Sequence, residues 1–490
     1  MIWPFRRKPK TTRTPRAIPV TLRARFDAAE TTAENARHWA MADSLSADAA
    51  ASPDVRRKLR ERARYEVANN SYARGIVLTL ANDCIGTGPR LQLAGSDSRR
   101  NNRIEAGFAD WAAEIELAGK LRAMRMAKAS DGEAFAVLTA NPMLASPIKL
   151  DLQLIEADRV AAPTMTFLTQ DNDIDGIRLD PWGNPHTYTV LRHHSGDIGA
   201  AVWIPGQEAD TIDADSMVHW FRADRPGQHR GVPELLPALP LFAQLRRYTL
   251  AVLAAAETAA DFAAVLFTDS PANGEAQALE PMDVVELEKR MATVLPDGWR
   301  LGQIEAQQPT TSYAEFKREI LNEIARCLNI PFNIAAGNSA GYNYASGRLD
   351  HQTYYRAIRI EQAHLGQIVL DRILKAWMWE AALTGTLPIS RQMLSTTGHQ
   401  WFFDGSEHVD PLKEAGAQAR RLRSNTTTLA NEYARQGKDW EAELHQRARE
   451  MRLMQKLGLS TEATTPGSAP ATTPAKDSLT DATDPARIAA

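Results

Sequence analysis

The chain has 490 residues, 44% of them hydrophobic, with 57 basic against 60 acidic side chains and a formal net charge of −3. Its length exceeds one typical core, so two or more packed units are expected, and the near-neutral balance excludes the global basic field of a protein that coats nucleic acid, leaving only local or transient contact with DNA. Cys84 and Cys327 belong to no CxxC pair and give no disulfide framework, which fits a reducing cytoplasm, and the longest strongly apolar run, LAVLAAA at 250–256, falls far short of the roughly 20 residues that span a bilayer.

The first stretch, MIWPFRRKPKTTRTPR, carries six basic residues and no acidic ones. It lacks the apolar run of a secretory signal, so residues 1–20 are expected to be a disordered basic arm, either solvated or touching nucleic acid or an acidic surface. From about 21 to 83 the periodic apolar positions of segments such as VRRKLRERARYEVANNSYARGIVLTLANDCIG predict helices, stopped by Gly86 and Gly88-Pro89. A further helix over Leu121–Ala129 leads into EAFAVLTANP, a strand bounded by Asn141-Pro142. Strands continue in LDLQLIEADRV and in GIRLD / HTYTVLRHH, joined by the turn residues PWGNP, so residues 130–222 read as an α+β unit.

Helix returns at 235, with Pro237 and Pro240 near its start and an Ala-rich continuation suited to close packing, even against copies of itself. The strand AAVLFT, the helix DVVELEKRMATVL and the strand WRLGQIEA then predict a small α/β insert. YAEFKREILNEIARCLNI is a helix with apolar Phe316, Ile320, Ile324 and Leu328 four apart, ended by Pro331. After the loop GNSAGYNYASG at 337–347, the longest helical pattern of the chain places Tyr354, Ile358, Leu365, Val369 and Ile373 on one face. A second helical region spans about 410–458, and the Pro- and Thr-rich text from 460 is expected to be disordered.

Several chemical motifs fail on spacing. DNDIDG at 171–176 starts like a calcium loop, but Trp182 occupies the twelfth position where a bidentate Glu is needed, so a turn before a hairpin strand is the better reading. His193, His194, His219 and His229 lack any metal-ligand spacing. The loop at 337–347 is not a phosphate cradle, because five residues separate Gly341 from Gly347, and Arg348 and Leu349 stand where Lys and Ser/Thr are required. Asp131 and Glu133, together with the Asp171–Asp175 cluster, leave open a metal-dependent nucleic-acid hydrolase as the alternative to a non-enzymatic protein, since i, i+2 carboxylates in a strand share one side.

RYEVANNSYARGIVLTLANDCIGTGPRLQ at 64–92, MVHWFRADRPGQHRGVPELLPAL at 217–239, IARCLNIPFNIAAGNSAGYNYASGRLD at 324–350 and FDGSEHVDPLKEAGAQARRL at 403–422 together resemble the lambda-type family of phage portal proteins, over roughly residues 20–460. The resemblance implies a mostly helical α+β portal-type fold and a ring, usually of twelve subunits, at one capsid vertex of the virion, through which double-stranded DNA enters during packaging and leaves during ejection. It implies a wing at 21–234, a stem helix at 235–263, a clip at 264–312 and a second stem helix at 313–329. A tunnel loop at 330–347, a long helix at 348–384, a helical crown or wing return at 385–460 and a free tail at 461–490 complete the division.

The implied partners are copies of the chain, the terminase large subunit docked on the clip, head-completion and tail proteins, capsid and scaffold proteins, with no membrane; the implied place of assembly is the host cytoplasm. No catalytic residue, cofactor or metal is implied. The residues expected to face DNA are Asn338, Ser339, Tyr342, Asn343, Tyr344 and Ser346. An uncharged loop suits that task, because each neutralised phosphate adds affinity and would stall a moving duplex. Glycine supplies conformational freedom, and the tyrosines supply contact without ionic grip.

Overall fold

A computed structural model describes residues 36–162, 173–197, 208–261, 265–268, 299–302, 311–389, 393, 398–405 and 411–459. The basic arm, the tail from 460 and the helix expected within the small insert lie outside these residues.

Helices α1 (Ala47–Ala50), α2 (Pro53–Asn69) and α3 (Ser71–Ile85) open the described chain. Pro53 starts α2, where its missing N–H costs nothing, and Asn70 separates α2 from α3 by accepting hydrogen bonds from the amides of Tyr72 and Ala73. Gly86, at φ 59°, ends α3 as expected. Strand β1 (Arg90–Leu93) and helices α4 (Ser98–Glu114) and α5 (Leu117–Asp131) follow. Next come β2 (Glu133–Ala140), β3 (Leu150–Ile155), β4 (Asp173–Ile174), β5 (Ile177–Leu179), β6 (Pro185–Leu191), β7 (Ala209–Asp213) and β8 (Met217–Phe221). All pair antiparallel, in one sheet of order β3-β2-β8 and another of order β4-β5-β6-β7.

The period-2 alternation of β2 divides its side chains between two cores. Ala134 and Ala136 face a core built by α4, α5 and the later helices, in which Phe108, Trp111 and Trp377 pack ring to ring. Phe135 faces the other way, into a core shared between the two sheets with Ile177, Tyr188 and Val190. The Asp175-Gly176 turn between β4 and β5 has φ of 46° and 84°, the left-handed pair that closes a two-residue hairpin. This is the turn expected of DNDIDG.

The long helix after 235 is α6 (Leu239–Asp261), preceded by a 3-10 turn at Leu236–Ala238. Its first half buries Leu239, Phe242 and Leu245 in a third core with α3 and α7 (Thr311–Cys327), while Leu250 and Leu253 further along are exposed. β9 (Val265–Thr268) pairs antiparallel with β10 (Trp299–Gly302), so the chain leaves along α6, turns through this pair and returns along α7. Tyr248 packs edge-on against Phe316, and the Thr249 hydroxyl lies 3.1 Å from the Tyr313 hydroxyl, holding the two helices side by side.

Pro331 caps α8 (Phe332–Ala336), and a connector leads to α9 (Tyr344–Leu365). The expected long helix is not uniform: a π-helical turn at Gly366–Leu370 separates α9 from α10 (Asp371–Thr384). There Asp371 accepts from His399 Nε2 at 2.9 Å and Trp401 Nε1 at 2.8 Å, fastening β11 (His399–Phe402), the partner of β1. Tyr354, Ile358, Leu365, Val369 and Ile373 are all buried, as their spacing predicts. The last described helices are α11 (Pro411–Arg423), α12 (Leu429–Arg435) and α13 (Trp440–Lys456), and α13 buries no residue.

Candidate functional site

Of the six residues expected to face DNA, Asn338, Ser339, Tyr342 and Asn343 fall between α8 and α9, in a connector shorter and more ordered than its composition suggests, while Tyr344 and Ser346 lie in the first turn of α9. Residues 332–336 of the expected loop are helical, and α9 begins at Tyr344, so only 330–331 and 337–343 of that loop lie outside helix. Gly337 ends α8 at φ 61°. The Asn338 amide donates to the Asn333 carbonyl at 3.0 Å, and the Asn338 side chain accepts from the Ala340 amide at 2.8 Å, forming an Asx turn. The Ser339 carbonyl then accepts from the Tyr342 amide at 3.2 Å, with Gly341 at φ 83° in the third place of a tight turn, where a side chain would be strained.

Asn343 is the N-cap of α9. Its side-chain oxygen accepts from the Ser346 amide at 2.9 Å, and the Ser346 hydroxyl donates to the Asn343 carbonyl at 3.2 Å. These two polar groups therefore serve the helix start, whereas Asn338 and Ser339 stand exposed and Tyr342 is half-buried, its ring lying over Gly347. Tyr344 opens the helix itself.

The connector is clasped from below. Asn333 Nδ2 and His351 Nε2 lie 2.9 Å apart, joining α8 to α9, and the buried Tyr354 donates to Asp83 of α3 at 2.6 Å. Burial and the Asp83 carboxylate both push the Tyr354 phenol far up, so it stays a donor. Deeper along α9, Glu361 pairs with the fully buried Lys128 of α5, which also approaches Glu234 at 3.6 Å; Arg125 binds Glu234 at 2.9 Å. Glu234 precedes α6 and its amide donates to the Ala129 carbonyl. One ionic cluster thus joins α5, α9 and the segment entering α6. Sequence reading missed α8, the cap and this cluster, although Asn343 immediately before a periodic run is an N-cap signal.

The acidic residues of the alternative reading are placed quite differently. Asp131 ends α5 and forms a bidentate pair with Arg64, both contacts at 2.8 Å, while Glu133 starts β2. Between them Gly132 has φ 92°, and a Cβ there would collide with the Val232 backbone; the chain turns there from helix to strand, so the two carboxylates are not i, i+2 neighbours on one strand. Glu133, with no exposed surface, accepts from Arg230 Nη2 at 2.6 Å, Arg60 Nη1 at 3.3 Å and the Gly231 amide at 2.9 Å; His219 Nε2 lies at 3.2 Å.

Burial alone would raise the Glu133 pKa, but Arg230 and His219 hold it well below the usual carboxylate range. Asp175 binds Arg56 and Arg230, and Asp158 binds Arg60 and Arg64. These oxygens are taken up by guanidinium groups, and among the described residues no group of three or more His, Cys, Asp or Glu is arranged to hold a metal ion. Asp171 lies outside the described residues. The arrangement welds α2 to the sheets and offers no open coordination site.

Residues 33–362 match the model of the family described as Phage portal protein, lambda family. The chain is 25% identical over 427 residues to a "Probable portal protein" of Halomonas phage phiHAP-1, covering 82% of this chain and 81% of that protein. Among solved structures it is similar to a chain in the neck of an empty GTA particle computed with C6 symmetry, at 15% identity, 81% and 99% coverage of the two chains and a TM-score of 0.46. It is also similar to one in the neck of a native GTA particle computed with C12 symmetry, at 14% identity, 77% and 90% coverage and a TM-score of 0.45.

Proposed function

The chain belongs to the lambda family of phage portal proteins, and from that premise we propose that it forms a ring, usually of twelve copies, around a channel for double-stranded DNA at one capsid vertex. Residues 21–234 form the wing, 235–263 and 313–329 the stem, 264–312 the clip, 330–347 the tunnel loop with 348–384 behind it, and 385–460 the crown or wing return. The clip docks the terminase large subunit, head-completion and tail proteins attach on the same axis, and assembly occurs in the host cytoplasm with capsid and scaffold. The protein acts as structure and conduit, without catalysis.

The observation that carries this reading is the family match over most of the chain, which includes the loop. The pair α6 and α7 supports it physically: Leu250 is 59%, Leu253 53% and Phe316 46% exposed in the single chain, an apolar flank that neighbouring copies would cover. The connector supports the loop assignment, since Asn338 and Ser339 are exposed and carry no charge.

Electron microscopy of the purified protein tests the ring; a protein that stays monomeric under all conditions overturns it. Deleting residues 338–342, which spares the Asn343 cap, is expected to leave rings intact and impair DNA packaging or retention. Loss of assembly in that variant would make the connector architectural.

A further inference from the structure

Immediately behind the connector, the outward face of α9 carries Arg348, Arg356 and Arg359. At 100° per residue, these three and Gln352 fall within about 80° of one another around the helix axis, forming a single stripe. All four are exposed. Among the described residues none of the three arginines has an ion pair or hydrogen bond to another side chain, in contrast to Arg56, Arg60 and Arg64 of α2, and the nearest acid in sequence, Asp350, projects from the opposite side of the helix. The stripe begins one turn from the capped N-terminus of a 22-residue helix, whose dipole adds positive potential at the same end.

We propose that this stripe is a phosphate-contacting surface for duplex DNA, with Arg348, Arg356 and Arg359 binding the backbone and Gln352 adding a neutral hydrogen-bonding group. The proposal rests on the portal reading and deepens it, because the residues first expected to touch DNA are uncharged and two of their polar groups are committed to the helix cap. The chemistry argues for phosphate: the guanidinium donors are solvent-facing and sequence-independent in what they read. About 12 Å of helix separates Arg348 from Arg356, and about 4.5 Å separates Arg356 from Arg359, so the stripe runs along a backbone and does not converge on one small anion. Exposed arginines bind weakly at physiological salt, which lets a duplex be guided without being held.

The test uses the full-length protein and a linear 30-base-pair duplex of arbitrary sequence, with affinity measured by fluorescence anisotropy from 50 to 300 mM salt. Arg348→Ala/Arg356→Ala/Arg359→Ala is compared with a control that removes the same charge from the exposed side of α2, Arg57→Ala/Lys58→Ala/Arg62→Ala. The α9 variant is expected to keep its rings in electron micrographs, to weaken binding, and to flatten the log–log salt slope by about 0.9 for each lost phosphate contact. The control slope is expected to match wild type. Equal effects of the two variants, or no effect of the α9 variant, overturn the proposal. Loss of rings in the α9 variant alone also overturns it, by placing the stripe against a neighbouring copy. Absence of rings in the wild type would instead strike the portal reading itself.

Discussion

Replacing Glu133 with Gln separates the structural reading of the wing from the hydrolase alternative. The substitution keeps shape and one acceptor oxygen but removes the negative charge to which Arg230, Arg60, the Gly231 amide and His219 are directed. Arg56, Arg60 and Arg230, all buried, must then share Asp158 and Asp175. Removing one partner of a buried ion pair costs about 3–5 kcal/mol. At 1.36 kcal/mol for each tenfold change, local opening of β2 and β8 becomes about 150- to 5000-fold more frequent.

Hydrogen exchange of peptides covering 133–140 and 217–221 reads that change directly. The variant Glu133→Leu/Arg230→Met, which removes both charges, should cost less than the sum of its single substitutions. A change below about fivefold in Glu133→Gln, equivalent to roughly 1 kcal/mol, would refute the network as a structural weld. Wild-type magnesium-dependent DNA cleavage that vanished in this variant without any change in exchange would restore the hydrolase.

Two further outcomes are expected. Asn343→Ala removes the cap of α9 and should cost about 1 kcal/mol at that helix end, seen as faster exchange over 344–348, whereas Asn343→Asp should retain protection. Burial lowers the pKa of His219 in spite of its hydrogen bond to Glu133, so the folded protein holds it neutral where the unfolded chain would take a proton. Its contribution is then complete above about pH 6.5 and lost as pH falls. The thermal midpoint should decline from pH 7 to 5 in the wild type and decline less in His219→Asn, which keeps only the similar share of His364.

The elements legible in the sequence are those whose partners lie close by or whose period is strong. α3 and the face of α9 follow from apolar spacing alone, and β5 and β6 from their turn residues. β1 and β11 are four residues each, paired across more than 300 positions as Arg90↔Phe402, and such short segments have no local signal. The ionic weld was half visible: Arg56, Arg60 and Arg64 recur every four residues on α2, a spacing that puts three cations on one face, but nothing local says that face is buried. Asp131-Gly132-Glu133 misleads for a related reason, because the left-handed Gly132 turns the chain between helix and strand.

The charge balance also means something different once the contacts are known. Arg56, Arg60, Arg64, Arg125, Lys128 and Arg230 are met inside the fold by Asp131, Glu133, Asp158, Asp175, Glu234 and Glu361. These groups cancel, so the net −3 belongs to the rest of the chain, and near-neutrality does not mean that every arginine is compensated where it stands. A ring built from such chains presents no global attraction that would hold DNA on its outside. Attraction can arise only where unpaired cations are gathered, as on α9, and there salt weakens it. An uncharged connector followed by a short cationic stripe thus gives a passing duplex a surface to follow and little reason to stop.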